Sequence, residues 1–594
     1  LADVLKDRAF RDLDFTELEH DYNRTQIEVS WNDSGSGITY TNPSTSGFRD
    51  ANSTVKYPFV DWNHQFIVGG SSNSGNSATV GNPELTSLEQ AFRPFINIKY
   101  LIDRIFEPTP FTYESALFDT TDFKKLYMDF NWGSDNNPFT ISESGMGYLD
   151  SDQTATASYA TIVTDDNDFD TNIGYSSGVY TALLDNQIYN HNYLWSYTVT
   201  GSGAWTIDFR WKMVKGGVTS YITVPQVSGS GNTAAFSGIA GNFTETLNTG
   251  DTLTPEFKSD SAGTHTITVN KTGSIFGTFG ANIVTTSASA TTNNTFLQTL
   301  RGETGQWDFL KGILTMFNLV TLPDENNPNN ILIEPYADVF LNNTATPLDW
   351  TEKIDISEMK LEPLADLNKK TIFKFVEDED DYAFTNYKNQ VGGHLYGSKM
   401  YDAGNEFNIL VGEDEIVAEP FAATVVKPLM SQFPSFITPA LYSYNADDGT
   451  SEGFDNSPRI MYNNGVKSTG ASYYIPEQNG VTSDNETYYL QFSHLTDVPT
   501  VVGSKDFHFG ECQLLTGVGS PVPDNLFNLY WLPYYSELYN PNTRIMTIKV
   551  NLTPADINTF KFNDTVFLKN RTFRVNKIDY KPNDLATVEF ILIP

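Results

Sequence analysis

Short segments in which apolar and polar residues alternate recur along this chain and favour a mainly β fold. The clearest is WTIDFRWKM, where Trp205, Ile207, Phe209, Trp211 and Met213 would share one face of a strand. Successive side chains point to opposite faces of a sheet, so such a segment buries one face only. Turns rich in Gly, Ser and Asn separate the segments, which is typical of antiparallel sandwiches and jelly rolls. We therefore predict a β-rich α+β chain, mainly β with a few helices.

The length of the chain predicts several domains, because 594 residues exceed what one hydrophobic core supports. Charged residues become sparse between 130 and 295, where Ser, Thr, Gly and Asn dominate. We interpret this block as a β-sandwich or jelly roll inserted into another domain. The predicted parts are an N-terminal part (1–129), the insert (130–295), a helix and β-barrel (296–430), a loop-rich β region (431–523) and a small C-terminal β module (524–594).

Two segments have the apolar spacing of amphipathic helices. One is predicted over 94–106, with a proline in its first turn and Phe95 and Ile98 on its apolar face. The other lies within TGQWDFLKGILTMFNLV (304–320), for which Thr304 is the predicted N-cap. After it, two short apolar runs flank the sequence DENNPNN and predict a hairpin.

Residues 340–430 contain a regular series of strand-like segments and turns. An apolar strand is predicted at 372–375, and Phe407, Ile409 and Val411 alternate as a second strand. The acidic run 378–381 between them is predicted to be a solvated loop. Near the N-terminus, the sequence QIEVSW (26–31) is also predicted to be a strand.

The C-terminal part follows a regular plan of strands and turns. Residues 546–552 alternate as a strand, and Thr553, followed by a proline, predicts the N-cap of a short helical turn. Strands at 566–568 and 573–578 would form a hairpin, and 585–593 would be the closing strand.

Several of these segments, taken in order, resemble one family of proteins. They are FINIKYLIDRIFEPTPFTYESALFDTTDFKKLY (95–127), WDFLKGILTMFNLVTLPDENNPNNILIEPY (307–336), KKTIFKFVEDEDDYAFTNYKNQVGGHLYG (369–397) and the C-terminal part. Together they resemble the tail-hub (baseplate hub) proteins of tailed bacteriophages, in particular of phages that infect Bacteroidetes. The hub fold is shared with contractile injection systems. The resemblance covers roughly 85–127, 296–430 and 524–594, and it does not include the insert.

The resemblance implies an architecture and a set of partners. It implies tube-forming β-barrel hub domains, two per subunit, in a homotrimeric ring that imitates the sixfold tail tube. It implies a virion protein, assembled in the host cytoplasm, that contacts tail-tube or distal tail proteins and seats spike or tail-fibre proteins. The genome would leave through the ring, and the insert would face outward towards fibres or the host surface. A cell-encoded injection system shares the fold and remains an alternative to a phage.

The charge of the chain argues against nucleic-acid recognition. A net charge of −36 and a pI near 4.4 mean that most of the surface repels phosphate. We expect DNA to pass through the channel without specific binding. No apolar run approaches the length of a membrane-spanning helix, so we predict no membrane span.

The sequence contains none of the motifs that mark common enzymes. It has no Walker A loop, no Rossmann fingerprint, no His-Glu-x-x-His and no nucleophile elbow. We predict that the chain is not an enzyme and has no catalytic, cofactor-binding or metal-binding residues. The spacing of His494, His508 and Cys512 fits no zinc pattern, because two close pairs are usually needed, and Cys512 is not expected to act as a nucleophile. The acidic run 165–170 lacks the Gly and Glu of a calcium loop and is predicted to be solvated.

An alternative hypothesis is a glycan-binding adhesin or receptor-binding protein that acts through the insert. Trp195, Trp205 and Trp211 would then stack on sugar rings of the host surface. The alternation within WTIDFRW instead favours Trp205 and Trp211 as core residues. A monomer with glycan affinity would favour the adhesin, whereas a ring in negative-stain images would favour the hub.

Overall fold

The computed structural model is mainly β with a few helices, which confirms the predicted fold class. The structure describes residues 1–68, 81–135, 144–149, 151–171, 175–182, 187–194, 196–235, 240–248, 250–270, 280–285, 289–324, 326–342, 344–363, 367–476, 483–510, 512, 522–582 and 584–592. No helix within these ranges is long and apolar enough to cross a membrane.

One continuous apolar core, called here the main core, joins residues from Leu5 to Tyr539. It surrounds a seven-stranded sheet in which the long strand Ile460–Pro476 pairs with Leu126–Asp129 on one side and Ser483–Ser493 on another. The other strands of this sheet are Val55–Lys56, Ile67–Val68, Pro83–Glu84 and Phe95–Asn97.

Several helices pack against the sheets of the chain. The helix Gln306–Met316 packs closely on the strand Glu413–Ala422, because a Cβ on Gly312 would lie 2.4 Å from the Phe421 ring. The α-helices are Ala2–Leu5, Arg24–Ser30, Ile98–Phe106, Asn293–Leu297, Gln306–Met316, Tyr382–Gln390, Leu532–Leu538 and Pro554–Thr559. Single turns of 3-10 helix are Phe10–Asp12, Thr16–Leu18, Leu88–Gln90, Phe123–Lys125, Leu300–Glu303, Thr351–Lys353 and Asn405–Phe407, and π-helical turns are Ala337–Leu341 and Phe527–Trp531.

The insert has an apolar core of its own. The main core includes residues up to Trp132 and resumes at Phe296, whereas a separate cluster draws on residues from Leu149 to Val269. The chain leaves and re-enters the main core at adjacent points, since Leu300 N–H donates to the Asn131 carbonyl at 2.8 Å. This arrangement matches an insertion between two parts of one domain.

Antiparallel sheets build the insert. A seven-stranded sheet contains Ala160–Thr161, Tyr175–Ser176, Val179–Thr181, Ala204–Lys215, Val218–Thr223, Val227–Ser230 and Thr252–Lys258. A five-stranded sheet contains Ser144–Leu149, Thr164–Thr171, Gln187–Leu194, Ala240–Leu247 and Gly280–Thr285, and a four-stranded sheet contains Gln153–Thr154, Tyr197–Thr200, Thr233–Ala235 and Thr266–Val269. The predicted alternation is confirmed in Ala204–Lys215, where every second residue from Trp205 to Trp211 is buried.

A six-stranded sheet, called here the C-terminal sheet, forms a third body with its own core. Its strands, in sheet order, are Leu348–Asp349, Thr565–Leu568, Arg571–Asp579, Ala586–Leu592, Arg544–Val550 and Ile354–Pro363. Trp350 packs into this core. The sheet therefore draws two strands from the 296–430 part and crosses the boundary predicted from sequence.

Smaller sheets complete the fold. One contains Thr112–Glu114, Leu319–Pro323 and Asn330–Pro335, and another contains Lys370–Val376, Lys399–Asp402 and Glu413–Ala422. Two-stranded pairs are His20–Tyr22 with Ser289–Thr291, Val426–Pro428 with Ile437–Pro439, Ser443–Asn445 with Thr450–Glu452, and Lys505–Asp506 with Asp524–Asn525. The predicted strand at 372–375, the hairpin after the second helix, and the strand and hairpin pattern of the C-terminal part are confirmed.

The strand predicted at 26–31 is wrong, because Arg24–Ser30 is a helix. The Asn23 side chain accepts a hydrogen bond from Gln26 N–H at 2.9 Å and caps this helix. Ile27 and Ser30 are buried. Ile27 and Ser30 are three residues apart, so they lie on the same face of the helix. In the short segment 26–31 this helical spacing is hard to tell from the alternation of a strand.

Both predicted helices begin later than expected. Residues Phe95–Asn97 form a buried strand of the main sheet, and the helix starts at Ile98. The second helix starts at Gln306, so that Gly305 and not Thr304 occupies the N-cap position.

The strand predicted around 407–411 is also wrong. Ile409 and Val411 lie outside any strand and are 69% and 78% exposed, and the strand begins after them at Glu413. Gly412 has a φ of +94°, a left-handed conformation that turns the chain before the strand can start.

Two acidic runs differ from the predicted solvated loops. Asp381 is fully buried, and its carboxylate accepts a hydrogen bond from Phe384 N–H at 3.0 Å as the cap of the helix Tyr382–Gln390. Arg459 forms ion pairs with Asp378 and Asp381. Residues 165–170 belong to the strand Thr164–Thr171, whose register partner is Ser144–Leu149.

Candidate functional site

Four buried side chains with metal-binding chemistry meet beside the main sheet. His494 follows the strand Ser483–Ser493, and Asp506 ends the strand Lys505–Asp506. The chain turns back between them, and Phe507 N–H donates to the His494 carbonyl at 2.6 Å. This turn brings together the four residues that we call the His–Cys cluster: His494, Asp506, His508 and Cys512.

The cluster is compact enough for its donor atoms to share one neighbour. One ligand-type atom from each residue lies within 4.8 Å of all the others. Nδ1 of His494 is 2.7 Å from Oδ1 of Asp506, and Nδ1 of His508 is 3.8 Å from the same oxygen. Nδ1 of His508 is also 3.0 Å from Sγ of Cys512. The two imidazole rings stack with their centroids 4.2 Å apart and their planes 14° from parallel.

Surrounding residues fix the orientation of both imidazoles. The Tyr396 hydroxyl lies 3.0 Å from Nε2 of His494, and Thr424 N–H donates to Nε2 of His508 at 3.4 Å. Gly397 has a φ of +77°, and a Cβ there would lie 2.9 Å from Cγ of His508. The His508 ring therefore packs directly on backbone at a position that requires glycine.

Burial shifts the pKa of two residues in this cluster, His508 and Cys512. No residue of the cluster is more than 5% exposed. Burial lowers the pKa of His508 well below its usual value, and the adjacent His494 lowers it further. Burial raises the pKa of the Cys512 thiol well above its usual value. An enclosed thiol of high pKa is a poor nucleophile, so the short contact between Cys512 and His508 does not favour covalent catalysis.

Sequence reasoning did not bring these four residues together. The separations in His494, Asp506, His508 and Cys512 contain one close pair, Asp-x-His, instead of the two pairs that zinc patterns usually show. The available signal was weak: an Asp-x-His followed four residues later by the one cysteine of the chain. The remaining histidine, His494, directly follows the strand Ser483–Ser493. The turn that brings it back to Asp506 cannot be inferred from the separation of these residues in the sequence.

The tryptophans considered for sugar binding are core residues where the structure describes them. Trp205 and Trp211 are 3% and 0% exposed, so neither ring offers a face to a glycan. Trp195 lies outside the described residues.

The C-terminal sheet ends in a strand of mixed apolar and charged residues that we call the open edge, Ile354–Pro363. It pairs with Arg544–Val550 on one side and has no strand on its other side within the described parts of the chain. Ile356, Met359 and Leu361 on this strand are 58%, 55% and 56% exposed. An unpaired strand edge with apolar side chains is a template for pairing with another chain.

Comparison with known proteins gives only partial structural similarity. No protein-family model and no curated protein matches the chain. Murine APRIL (12% identity, TM-score 0.17) aligns along 99% of its own length with 24% of this chain. The Eiger TNF of S. frugiperda (9% identity, TM-score 0.19) aligns along 92% of its own length with 24% of this chain. The globular domain of zebrafish complement 1qA (12% identity, TM-score 0.17) aligns along 94% of its own length with 24% of this chain.

Proposed function

We propose that this chain is a structural subunit of a phage tail hub, which ends the tail tube and seats the spike or receptor-binding parts. The open edge is the observation that carries the proposal, because a ring-forming subunit needs a strand edge that pairs with a neighbouring copy. The sequence resemblance over 85–127, 296–430 and 524–594 supports the same assignment.

The apolar side chains of the open edge suit contact with a second copy of the chain. Ile356, Met359 and Leu361 are more than half exposed on an edge strand that also carries charged residues. Pairing between copies would cover these side chains and satisfy the free backbone groups together. We infer a homotrimer in which each subunit lends this edge to the next.

The overall charge supports a passive conduit. With a net charge of −36, the chain repels the phosphates of a genome that passes through the ring. In this proposal, tail-tube or distal tail proteins bind one end of the ring and spike or tail-fibre proteins the other. The insert, which has its own core, faces outward towards fibres or a host-surface glycan.

The oligomeric state tests the role of the open edge. Light scattering of the purified chain should give the mass of three copies, and negative-stain averages should show a threefold ring. The double variant Ile356→Lys/Leu361→Lys should give the mass of one copy, since pairing would bury two added charges. The variant should fold normally, because both side chains are exposed in the single chain. Substitutions at exposed positions usually change the free energy of unfolding by less than about 0.5 kcal/mol.

A matched control separates this edge from general surface effects. Val218 in the insert is 69% exposed, and Val218→Lys should remain trimeric. The trimer would be contradicted if the wild-type chain stayed monomeric at all concentrations and the edge variants had the same mass. Antibody labelling of tails should mark the distal tip, and label confined to fibres would contradict the hub and favour the adhesin.

A further inference from the structure

We propose that a cleft between the helix Ile98–Phe106 and the strand Asn330–Pro335, called here the acidic cleft, binds a basic segment of a partner protein. The cleft has a volume of about 710 Å³, and residues 106–116, which follow the helix, form much of its wall. The inference goes beyond the proposed function and does not depend on it, because the cleft lies within one chain and away from the open edge.

Aromatic rings line the acidic cleft. They belong to Phe48, Phe106, Phe111 and Tyr113. The Phe48 side chain is 38% exposed, and the rings of Phe106 and Tyr113 have their centroids 4.6 Å apart. Aromatic faces attract ammonium and guanidinium groups, and they also pack against the methylene stems of Lys and Arg. The Lys99 ammonium lies 4.9 Å from the centroid of the Tyr113 ring, so the cleft holds one cation of its own chain in this way.

Carboxylates outnumber cations around the acidic cleft. Of the described residues that line it, one is basic, Lys99, and five are acidic: Asp103, Glu107, Glu114, Asp119 and Glu334. Three of the acids pair with a cation of the same chain at 2.5–3.3 Å: Asp103 with Lys99, Glu107 with Arg104, and Asp119 with Lys124. The remaining two carboxylates leave the cleft with negative charge that the chain does not neutralise.

Glu114 and Glu334 are these two residues. Among the described residues they accept hydrogen bonds from neutral groups, the Asn330 amide at 3.1 Å and Ala116 N–H at 2.5 Å. Glu114 is opposite Leu332 in a parallel ladder, and Glu334 lies two residues further along the strand of Leu332. Both carboxylates therefore lie on the same sheet face, where like charges on neighbouring strands repel. A cation from a partner would relieve this repulsion.

The charge and the rings together define the occupant. A second copy of this chain, with a net charge of −36, is a poor match for a negative cleft. An arginine suits it best, because a guanidinium can donate two hydrogen bonds to a carboxylate and stack on an aromatic ring. Ligand sites usually measure about 300–1,000 Å³, so this cleft has room for more than one side chain. We expect a segment in which an arginine stands next to an apolar residue.

Peptide selection on the full chain tests the proposal. The probe is a phage-displayed library of short random peptides, depleted first on the variant Glu114→Gln/Glu334→Gln and then selected on the wild-type chain at about 0.15 M salt. Arginine next to an apolar residue should be enriched. A fluorescein-labelled copy of the most enriched peptide should bind the double variant at least about 10-fold more weakly than wild type in fluorescence anisotropy, because its charged contacts are lost.

Matched controls separate the cleft from general charge attraction. Glu379→Gln/Asp380→Asn removes the same charge from exposed positions outside the cleft and should bind the peptide as wild type does. Phe48→Ser keeps every charge and should weaken binding through the loss of its ring. Citrulline in place of the peptide's arginine keeps the shape without the charge and should abolish binding.

Two results would overturn the site. One is a selection that enriches neither arginine nor lysine after depletion. The other is equal weakening by Glu114→Gln/Glu334→Gln and by the control pair, which would assign binding to the net charge of the chain. Should the cleft variant fail to fold, Phe48→Ser decides in its place, and unchanged peptide affinity would then overturn the site. A trimeric chain that selects no basic peptide would refute the cleft and leave the proposed hub intact.

Discussion

At the scale of single residues, buried charges join distant parts of the chain. Asp129 is fully buried, and its carboxylate accepts hydrogen bonds from the Arg301 side chain at 2.9 Å and from Arg459 N–H at 2.7 Å. Arg459 in turn pairs with Asp378 and Asp381. Burial raises the pKa of Asp381 to about 6 despite Arg459. These contacts connect both sides of the insert with the segment before Ile460–Pro476.

His20 gives the fold a defined sensitivity to acid. The ring is buried, with Nδ1 at 2.6 Å from the Leu18 carbonyl and Nε2 at 2.8 Å from the Tyr57 hydroxyl. Burial lowers its pKa from 6.5 to about 4. Between these values the unfolded chain binds more protons than the folded chain, so the free energy of unfolding falls as the pH falls from 6.5 towards 4.

We predict that His20→Gln flattens this dependence. Between pH 7 and pH 5, the wild-type chain should lose about 2 kcal/mol more of its unfolding free energy than the variant, as the pKa difference requires. Urea unfolding at the two pH values measures both losses. His394→Gln should behave as wild type because that ring is exposed. Equal losses in wild type and His20→Gln would show that His20 is not the group that titrates.

At the scale of elements, caps and buried faces decided where helices begin. Asn97 ends a buried strand, and its side-chain oxygen accepts from Lys99 N–H at 3.0 Å and Tyr100 N–H at 3.4 Å. Its amide also donates to the Lys124 carbonyl at 2.7 Å. The apolar spacing after Pro94 suits a helix, but pairing with Leu126–Asp129 holds Phe95–Asn97 in the sheet.

Loss of this cap should destabilise the protein measurably. Asn97→Ala should lower the unfolding free energy by about 1–2 kcal/mol, because two helix N–H groups lose their acceptor. Asn97→Ser keeps a capping oxygen and should cost less. The midpoints of urea unfolding for the two variants give the comparison. A serine variant as unstable as the alanine variant would assign the effect to the Lys124 contact instead of the cap.

At the scale of the whole molecule, the apolar residues form separate bodies. The main core, the core of the insert and the core of the C-terminal sheet share no residues. Separate cores allow one body to unfold while another stays folded. The insert and the C-terminal sheet can therefore behave as folding units of their own.

Calorimetry of the full chain should resolve at least two of these bodies. Trp211→Ala and Phe373→Ala each remove a large buried side chain, at a cost of about 3–5 kcal/mol. Trp211 belongs to the core of the insert and Phe373 to the main core. Each variant should lower the temperature of one transition and leave the other in place. A single transition lowered equally by both variants would mean that the cores unfold together.

The sequence by itself determined the mainly β class, the alternating strand Ala204–Lys215 and the hairpins of the C-terminal part. These features depend on side-chain periodicity and turn residues, which act over a few positions. Only the tertiary structure decided the His–Cys cluster, the open edge of the C-terminal sheet and the partners of Asp129. Each joins segments across turns or across hundreds of residues, and such contacts arise from packing, which local patterns do not encode.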